Sequence, residues 1–127
     1  MAKDFAGWNK LKQNLQQAHN LPTYNQREIW WCSIGVNLGH EEDGKNKLFQ
    51  RPVVIIRKFN KHIFLGVPLT TQARNSPYYF PMKFRGREQS AMLSQIRIYD
   101  SKRLSDIMGK LAPDEFAKLR NAIKSVI

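Results

Sequence analysis

Apolar positions along this chain keep two different periods, and the change comes near residue 27. Before it, Phe5, Trp8, Leu11 and Leu15 recur at spacings of three, three and four against Lys, Gln and Asn. That stripe predicts an amphipathic helix over residues 2–19, closed by Leu21-Pro22-Thr23. Beyond it, apolar runs of strand length alternate with turn residues. Residues 29–36 read as a buried strand. Residues 51–58 and 62–69 read as a hairpin joined by Phe59-Asn60-Lys61, with Pro52 opening its first strand. Pro68 fits only an edge or a bulge. Residues 78–84 and 91–99 are predicted as further strands, with a turn at Arg85-Gly86-Arg87. Asp100 is placed to cap a short helix over 101–108. Pro113, with Asp114 and Glu115 behind it, opens a last helix whose buried face carries Phe116, Leu119, Ile123 and Val126. The expected fold is mainly β with α, a small and mostly antiparallel barrel. A helical extension at 1–26 precedes the main domain at 27–127.

Between the first two strands, residues 37–50 are polar and contain glycines, which predicts a long loop of the kind that usually carries function. A chain of 127 residues suits one domain with an appendage, and 42% hydrophobic with 24% charged residues is the balance of a folded protein. No apolar run approaches the roughly 18 residues of a membrane span. The start, Met1-Ala2-Lys3-Asp4, lacks an apolar signal core, so a cytoplasmic protein is expected. Cys32 is the only cysteine, which excludes an internal disulfide and a multi-cysteine zinc site. Lying between Trp31 and Ser33 in an apolar run, it reads as a buried, inert thiol.

Charge changes the picture. The formal net charge is +11, and residues 44–99 hold eleven Lys/Arg against one acid, Glu88. The remainder of the chain holds ten basic against nine acidic side chains. Positive charge gathered on one segment marks a polyanion site: nucleic acid, an acidic protein or an anionic membrane face. The membrane is the poorest fit, because the charge is spread over strands instead of one basic amphipathic helix.

The same segment holds the candidate chemistry. Arg51 lies at the start of a buried strand, where rigid backbone anchors a guanidinium whose paired donors match phosphate oxygens. If the hairpin forms, the end of its second strand brings the Thr70 hydroxyl beside Arg51. Taken alone, the pattern also fits a surface arginine and a strand-end threonine. The run His40-Glu41-Glu42-Asp43 consists of ligand types, but consecutive residues seldom converge on one ion, so a solvated acidic loop is expected and no metal. His19 and His62 fall at a helix end and a hairpin turn; a two-histidine ribonuclease pair would need His40 and His62 to meet. Among Trp30, Trp31, Tyr78, Tyr79 and Phe80, the pair Tyr78 and Tyr79 is the best source of a base-stacking ring, because alternation sends one of them outward. No Gly-rich phosphate loop, Gly-x-Ser-x-Gly elbow or His-Glu-x-x-His helix occurs.

Several stretches in order resemble one family. They are Glu28-Ile29-Trp30-Trp31 before the Gly39-His40-Glu41 loop, Arg51-Pro52-Val53-Val54-Ile55-Ile56, Val67-Pro68-Leu69-Thr70-Thr71-Gln72, and Ser94-Gln95-Ile96-Arg97-Ile98-Tyr99-Asp100. Lys102-Arg103-Leu104 and Gly109-Lys110-Leu111 extend the likeness. Together they resemble the MazF/PemK toxins of bacterial toxin–antitoxin pairs over roughly residues 27–127; residues 1–26 fall outside it, and the loop between Gly39 and Arg51 is longer than in many members. The resemblance implies an SH3-like barrel that forms a homodimer, and an endoribonuclease that cuts single-stranded RNA at short sequences with no cofactor or metal. It also implies a partner antitoxin with an acidic tail, and DNA binding by the complex of the two. Carried over by position, the catalytic Arg is Arg51, the strand-end hydroxyl is Thr70, and the loop Glu is Glu41. One branch, of the PemK or Kid type, adds a loop His, present here as His40, and an Arg-x-Asp whose places are taken by Met92 and Ser94; that acid/base set is incomplete, which favours the simpler Arg/Thr arrangement. Thr71, Gln72, Gln95 and Arg97 complete the expected RNA contacts. The rival readings are a non-catalytic RNA- or protein-binding barrel and a CcdB-like gyrase poison. The latter is disfavoured because the Trp-Gly-Ile end of those toxins is replaced by Lys124-Ser125-Val126-Ile127.

Overall fold

The computed structural model describes residues 21–34, 50–72 and 74–127. The expected helix at 2–19, His40 and Glu41 lie outside them. Among the described residues, seven strands and one α-helix occur in order: β1 (Glu28–Ser33), β2 (Gln50–Lys58), β3 (Ile63–Thr70), β4 (Tyr79–Phe84), β5 (Arg87–Met92), β6 (Arg97–Asp100), β7 (Leu104–Lys110) and α1 (Pro113–Ser125). All strand pairings are antiparallel, in the order β4-β5-β3-β2-β1-β7, with β6 also joined to β3.

Both faces of the central strands are buried, which is why β2 reads as the unbroken run Val53-Val54-Ile55-Ile56 instead of an alternation. Val54 and Ile56 join Ile29, Val67, Leu69, Met82 and Phe84 beneath Phe116, Leu119 and Ile123 of α1. Val53 and Ile55 point the other way, into a second core with Tyr24, Trp30, Cys32, Phe64, Tyr99 and Leu104. The sheet curls until its two ends approach. A Cβ placed on Gly109 of β7 would lie 2.5 Å from Phe84 Cζ at the end of β4, so only glycine allows this approach. Arg85 and Gly86, with φ of 57° and 75°, form the two-residue turn between β4 and β5; positive φ at both centres is the geometry that matches the twist of the flanking strands.

The mainly β architecture, the 51–58/62–69 hairpin and the helix opened by Pro113 agree with expectation. Three readings need correction. Residues 101–108 are not a helix. Asp100 does cap, its Oδ1 accepting from the Lys102 amide at 2.8 Å, but the result is one 3-10 turn, Ser101–Arg103, followed by β7. The cause is β1, whose second edge must find backbone partners once it is buried, and β7 supplies them through two register irregularities. The single strand at 91–99 is two, β5 and β6, parted by the 3-10 turn Leu93–Gln95. Pro68 is neither at an outer edge nor in a bulge: it pairs with Val53 inside the sheet. On its other side β6 stops at Gly66 and β5 starts at Leu69, so no ladder requires the amide hydrogen that proline lacks.

Candidate active site

The hairpin places the two principal candidates. Val53 stands opposite Pro68, so Arg51 lies two residues before and Thr70 two residues after the same rung. Strand alternation then sends both side chains to the face of Val53 and Tyr99, away from α1. Arg51 is half-buried, and its Nη1 donates to the Leu69 carbonyl at 3.4 Å, a long bond and the one its guanidinium makes among the described residues. The Thr70 hydroxyl accepts from the Gln72 amide at 3.2 Å and donates to no partner among the described residues.

β6 brings a second arginine to this face. Arg97 stands opposite Gly66, and its guanidinium lies 5.0 Å from the centroid of the Tyr99 ring. Gly66 is required there, since a Cβ would meet Val53 Cγ1 at 2.7 Å and Phe64 Cε2 at 2.8 Å. A third arginine, Arg103, was not among the candidates from sequence. It closes the 3-10 turn that replaced the expected helix, and its Nη1 donates to the Ser33 carbonyl at 3.1 Å. The only sequence signal was its place in the Lys102-Arg103-Leu104 stretch of the family pattern.

Tyr99 reports the field these three produce. Burial pushes its hydroxyl up to about 12, the neighbouring Cys32 pushes the same way, and Arg97, Arg103 and Arg51 oppose them. Cys32 is fully buried, and desolvation raises its thiol to about 12 against the pull of Arg103 and Arg97. The thiol is inert, as expected. Because both groups hold their protons more tightly in the folded chain, stability is intact below their ordinary values of 9.0 and 10.0 and is lost as pH rises towards about 12. A melting curve should fall steeply across that alkaline range, and Cys32→Ala should flatten the fall; an unchanged slope would refute the assignment.

The remaining candidates divide. Gln95 is exposed and closes the 3-10 turn just ahead of Arg97. Gln72 accepts from Arg74 Nη2 at 3.1 Å, and Arg74 lies over the half-buried Tyr79 ring at 6.0 Å. Tyr78 is 49% exposed and is the outward member of its pair. Thr71 is exposed in the bend that follows β3. Trp30 is buried, its Nε1 donating to Glu28 Oε1 at 2.9 Å, whereas Trp31 is exposed. Phe80 packs on the α1 core, and His62 lies in the exposed β2–β3 turn. Among the described residues no three His, Cys, Asp or Glu side chains gather, and no helix is long and apolar enough to cross a membrane.

Residues 25–127 match the family model of the PemK-like, MazF-like toxins of type II toxin–antitoxin systems. The chain belongs to this family. The toxin domain is also similar in fold to MazF of Deinococcus radiodurans, at 18% identity and a TM-score of 0.65 over 83% of this chain and 96% of that one. An endoribonuclease from Mycobacterial species, solved in complex with its cognate antitoxin, gives 18% identity and a TM-score of 0.61 over 81% and 93% of the two chains. Mycobacterium tuberculosis toxin MazF-mt6 gives 16% and 0.59 over 78% and 94%. At these identities the likeness is one of fold. No curated protein matches the toxin by sequence.

Proposed function

We propose that this toxin is a sequence-specific endoribonuclease that cuts single-stranded RNA, messenger RNA above all, and so stops translation in the cytoplasm. The observation that carries the reading is the convergence of Arg51, Thr70, Arg97 and Arg103 on one face of the sheet around Tyr99.

The ribose 2′-oxygen attacks the adjacent phosphorus while the bond from phosphorus to the 5′-oxygen breaks. The products are a 2′,3′-cyclic phosphate and, once the leaving oxygen takes a proton from solvent water, a free 5′-hydroxyl. Arg51 grips the non-bridging oxygens and stabilises the charge that grows on them, and Thr70 donates a second bond. A guanidinium keeps its proton over the whole working range, so Arg51 is not the base that takes the 2′-hydroxyl proton. His40 or Glu41, from the segment between β1 and β2 in sequence, is assigned that step on the resemblance alone. Arg97 and Arg103 hold flanking phosphates, while Gln72, Gln95 and Tyr78 face bases and Tyr79 orders Arg74.

The partner is an acidic antitoxin whose tail competes for the same arginines, in line with the antitoxin-bound mycobacterial endoribonuclease and the MazE-MazF assembly of Deinococcus radiodurans. A homodimer is proposed on the resemblance; exposed Trp31 and Ile107, on the paired strands β1 and β7, supply apolar surface for it. Sedimentation at two protein concentrations tests that point.

The decisive experiment incubates purified toxin with labelled RNA and maps the new ends. Cyclic phosphates and 5′-hydroxyls at a short recurrent sequence are expected, and intact RNA would overturn the reading. Binding should also weaken with salt. Three guanidiniums on three phosphates predict a log–log slope of roughly −2, at about −0.7 per phosphate. A flat response in fluorescence anisotropy would argue against the basic face.

A further inference from the structure

On the α1 side of the sheet, away from the arginine face, a cavity of about 270 Å³ opens between β2, β3 and the C-terminal half of α1. We infer that it is a docking seat for an acidic segment of a partner protein, which places one apolar side chain in the cavity and carboxylates around it. The inference does not rest on the ribonuclease reading.

A bulge builds the site. Ile55 pairs with Gly66 and Arg57 with Leu65, so Ile56 is an extra residue in β2. Without it, Arg57 would stand opposite Phe64 and turn to the core beneath the arginine face. With it, Ile56 and Arg57 both lie on the side of Leu65, which packs against the α1 core. Lys58 takes the place opposite Phe64 and lies 4.5 Å from the centroid of the Tyr24 ring.

Apolar floor and charged rim are cleanly divided. Ile56, Leu65 and Ile123 make the floor, and the exposed Arg57, Arg120 and Lys124 surround it. Among the described residues no carboxylate lines the cavity. Lys124, in the last turn of α1, offsets the negative end of the helix dipole, which leaves Arg57 and Arg120 as the excess charge. The apolar surface continues outward, because Leu65 stands opposite Ile98, which is 53% exposed. An occupant needs the complementary arrangement, an apolar anchor within a ring of negative charge.

Size and lining select a peptide. The volume falls just below the range of about 300–1,000 Å³ typical of small-molecule sites, and it suits a single anchoring side chain. No aromatic ring among the described residues lines it, so it offers a nucleic-acid base nothing to stack on. The chain's own first twenty residues carry Lys3, Lys10 and Lys12 against Asp4 alone, the wrong charge for this rim.

The test starts from Arg51→Ala/Arg97→Ala protein, which removes two cations of the arginine face. A fluorescein-labelled peptide of glutamates and aspartates around two leucines is titrated in by fluorescence anisotropy. Adding Arg57→Ala and Arg120→Ala should weaken binding about 5- to 30-fold, through the loss of two surface ion pairs. Serines in place of the leucines should weaken it about tenfold or more, since no apolar side chain is then buried. Melting temperatures verify the folds. A change under about twofold in either comparison would overturn the seat. So would a 2′-O-methyl oligoribonucleotide that binds more tightly than the peptide and depends on Arg57 and Arg120, which would make the rim a nucleic-acid track. A peptide that binds only once Glu41→Ser, Glu42→Ser and Asp43→Ser are combined would also overturn it, by making the chain's own acidic run the occupant. A toxin that cuts no RNA yet shows both dependences loses the ribonuclease reading and keeps the seat.

Discussion

Replacing Arg51 by alanine should slow RNA cleavage about 100- to 1,000-fold, the usual cost of removing one preorganised donor from a developing oxyanion. The side chain is half-buried, and its one bond among the described residues, to the Leu69 carbonyl at 3.4 Å, is long. Folding therefore loses little when it goes, and the melting temperature should move by no more than a few degrees. Arg51→Lys should recover only a small part of the rate, because an ammonium is a point charge and cannot present two parallel donors to one phosphate. Thr70→Val should do less damage than Arg51→Ala, since a neutral hydroxyl bond is about half as strong as a charge-assisted one. Mapping new RNA 5′ ends after induction, in wild type and Arg51→Ala, measures the first effect in cells. An alanine variant cutting at the parental rate and sites would remove Arg51 from the chemistry. It would not disturb the fold or the family, which rest on other observations.

The largest loss of stability is expected at Phe64→Ala, about 3–5 kcal/mol. Phe64 is fully buried in the core beneath the arginine face. Its ring stacks on Tyr99 at 5.5 Å between centroids and meets Tyr24 at 5.3 Å in a tilted arrangement. It also covers Gly66, which has no side chain with which to fill the gap. The surrounding strands are tied by ladders on both sides, so collapse around the void is limited. A drop on the order of 10–20 °C in melting temperature should follow, and RNA binding should fall with it, because Tyr99 is the surface against which Arg97 rests. Phe64→Leu should cost much less, as it keeps most of the volume. Urea unfolding checks both variants; a change under about 1 kcal/mol in Phe64→Ala would mean that the second core is not the support of the site.

Part of this arrangement is legible without coordinates, and the boundary has a physical cause. Residues 51–58 and 62–69 are apolar, β-branched and separated by one short turn, so local propensity and hairpin closure agree, and the neighbourhood of Arg51 and Thr70 follows from counting along two strands. Pro113 with Asp114 and Glu115 is likewise a local signal, a residue prepared for the first helical position and charges suited to the dipole. The gathering of positive charge on residues 44–99 is simple arithmetic on the sequence.

The errors fall where partners distant in sequence outvote local preference. Residues 104–110 contain Leu, Met and Lys, which suit a helix, and show no alternation because two irregularities break their register with β1. They become a strand because β1 is buried and its free edge needs hydrogen bonds. That same decision delivers Arg103 to the arginine face. Pro68 is tolerated inside the sheet because β5 and β6 leave a gap beside it, which depends on where two other strands happen to stop. Glu115, read along the chain, is an acid favouring a helix start; the burial of its Oε1 exists only once α1 lies against β4.

Residue types, their periods and their nearest neighbours thus settled the hairpin, the closing helix, the basic character and the Arg51–Thr70 pair, since each depends on interactions spanning only a few residues. The curled sheet decided the rest: which edges had to be paired and which arginines meet over Tyr99, because burial and backbone pairing are properties of the whole chain at once.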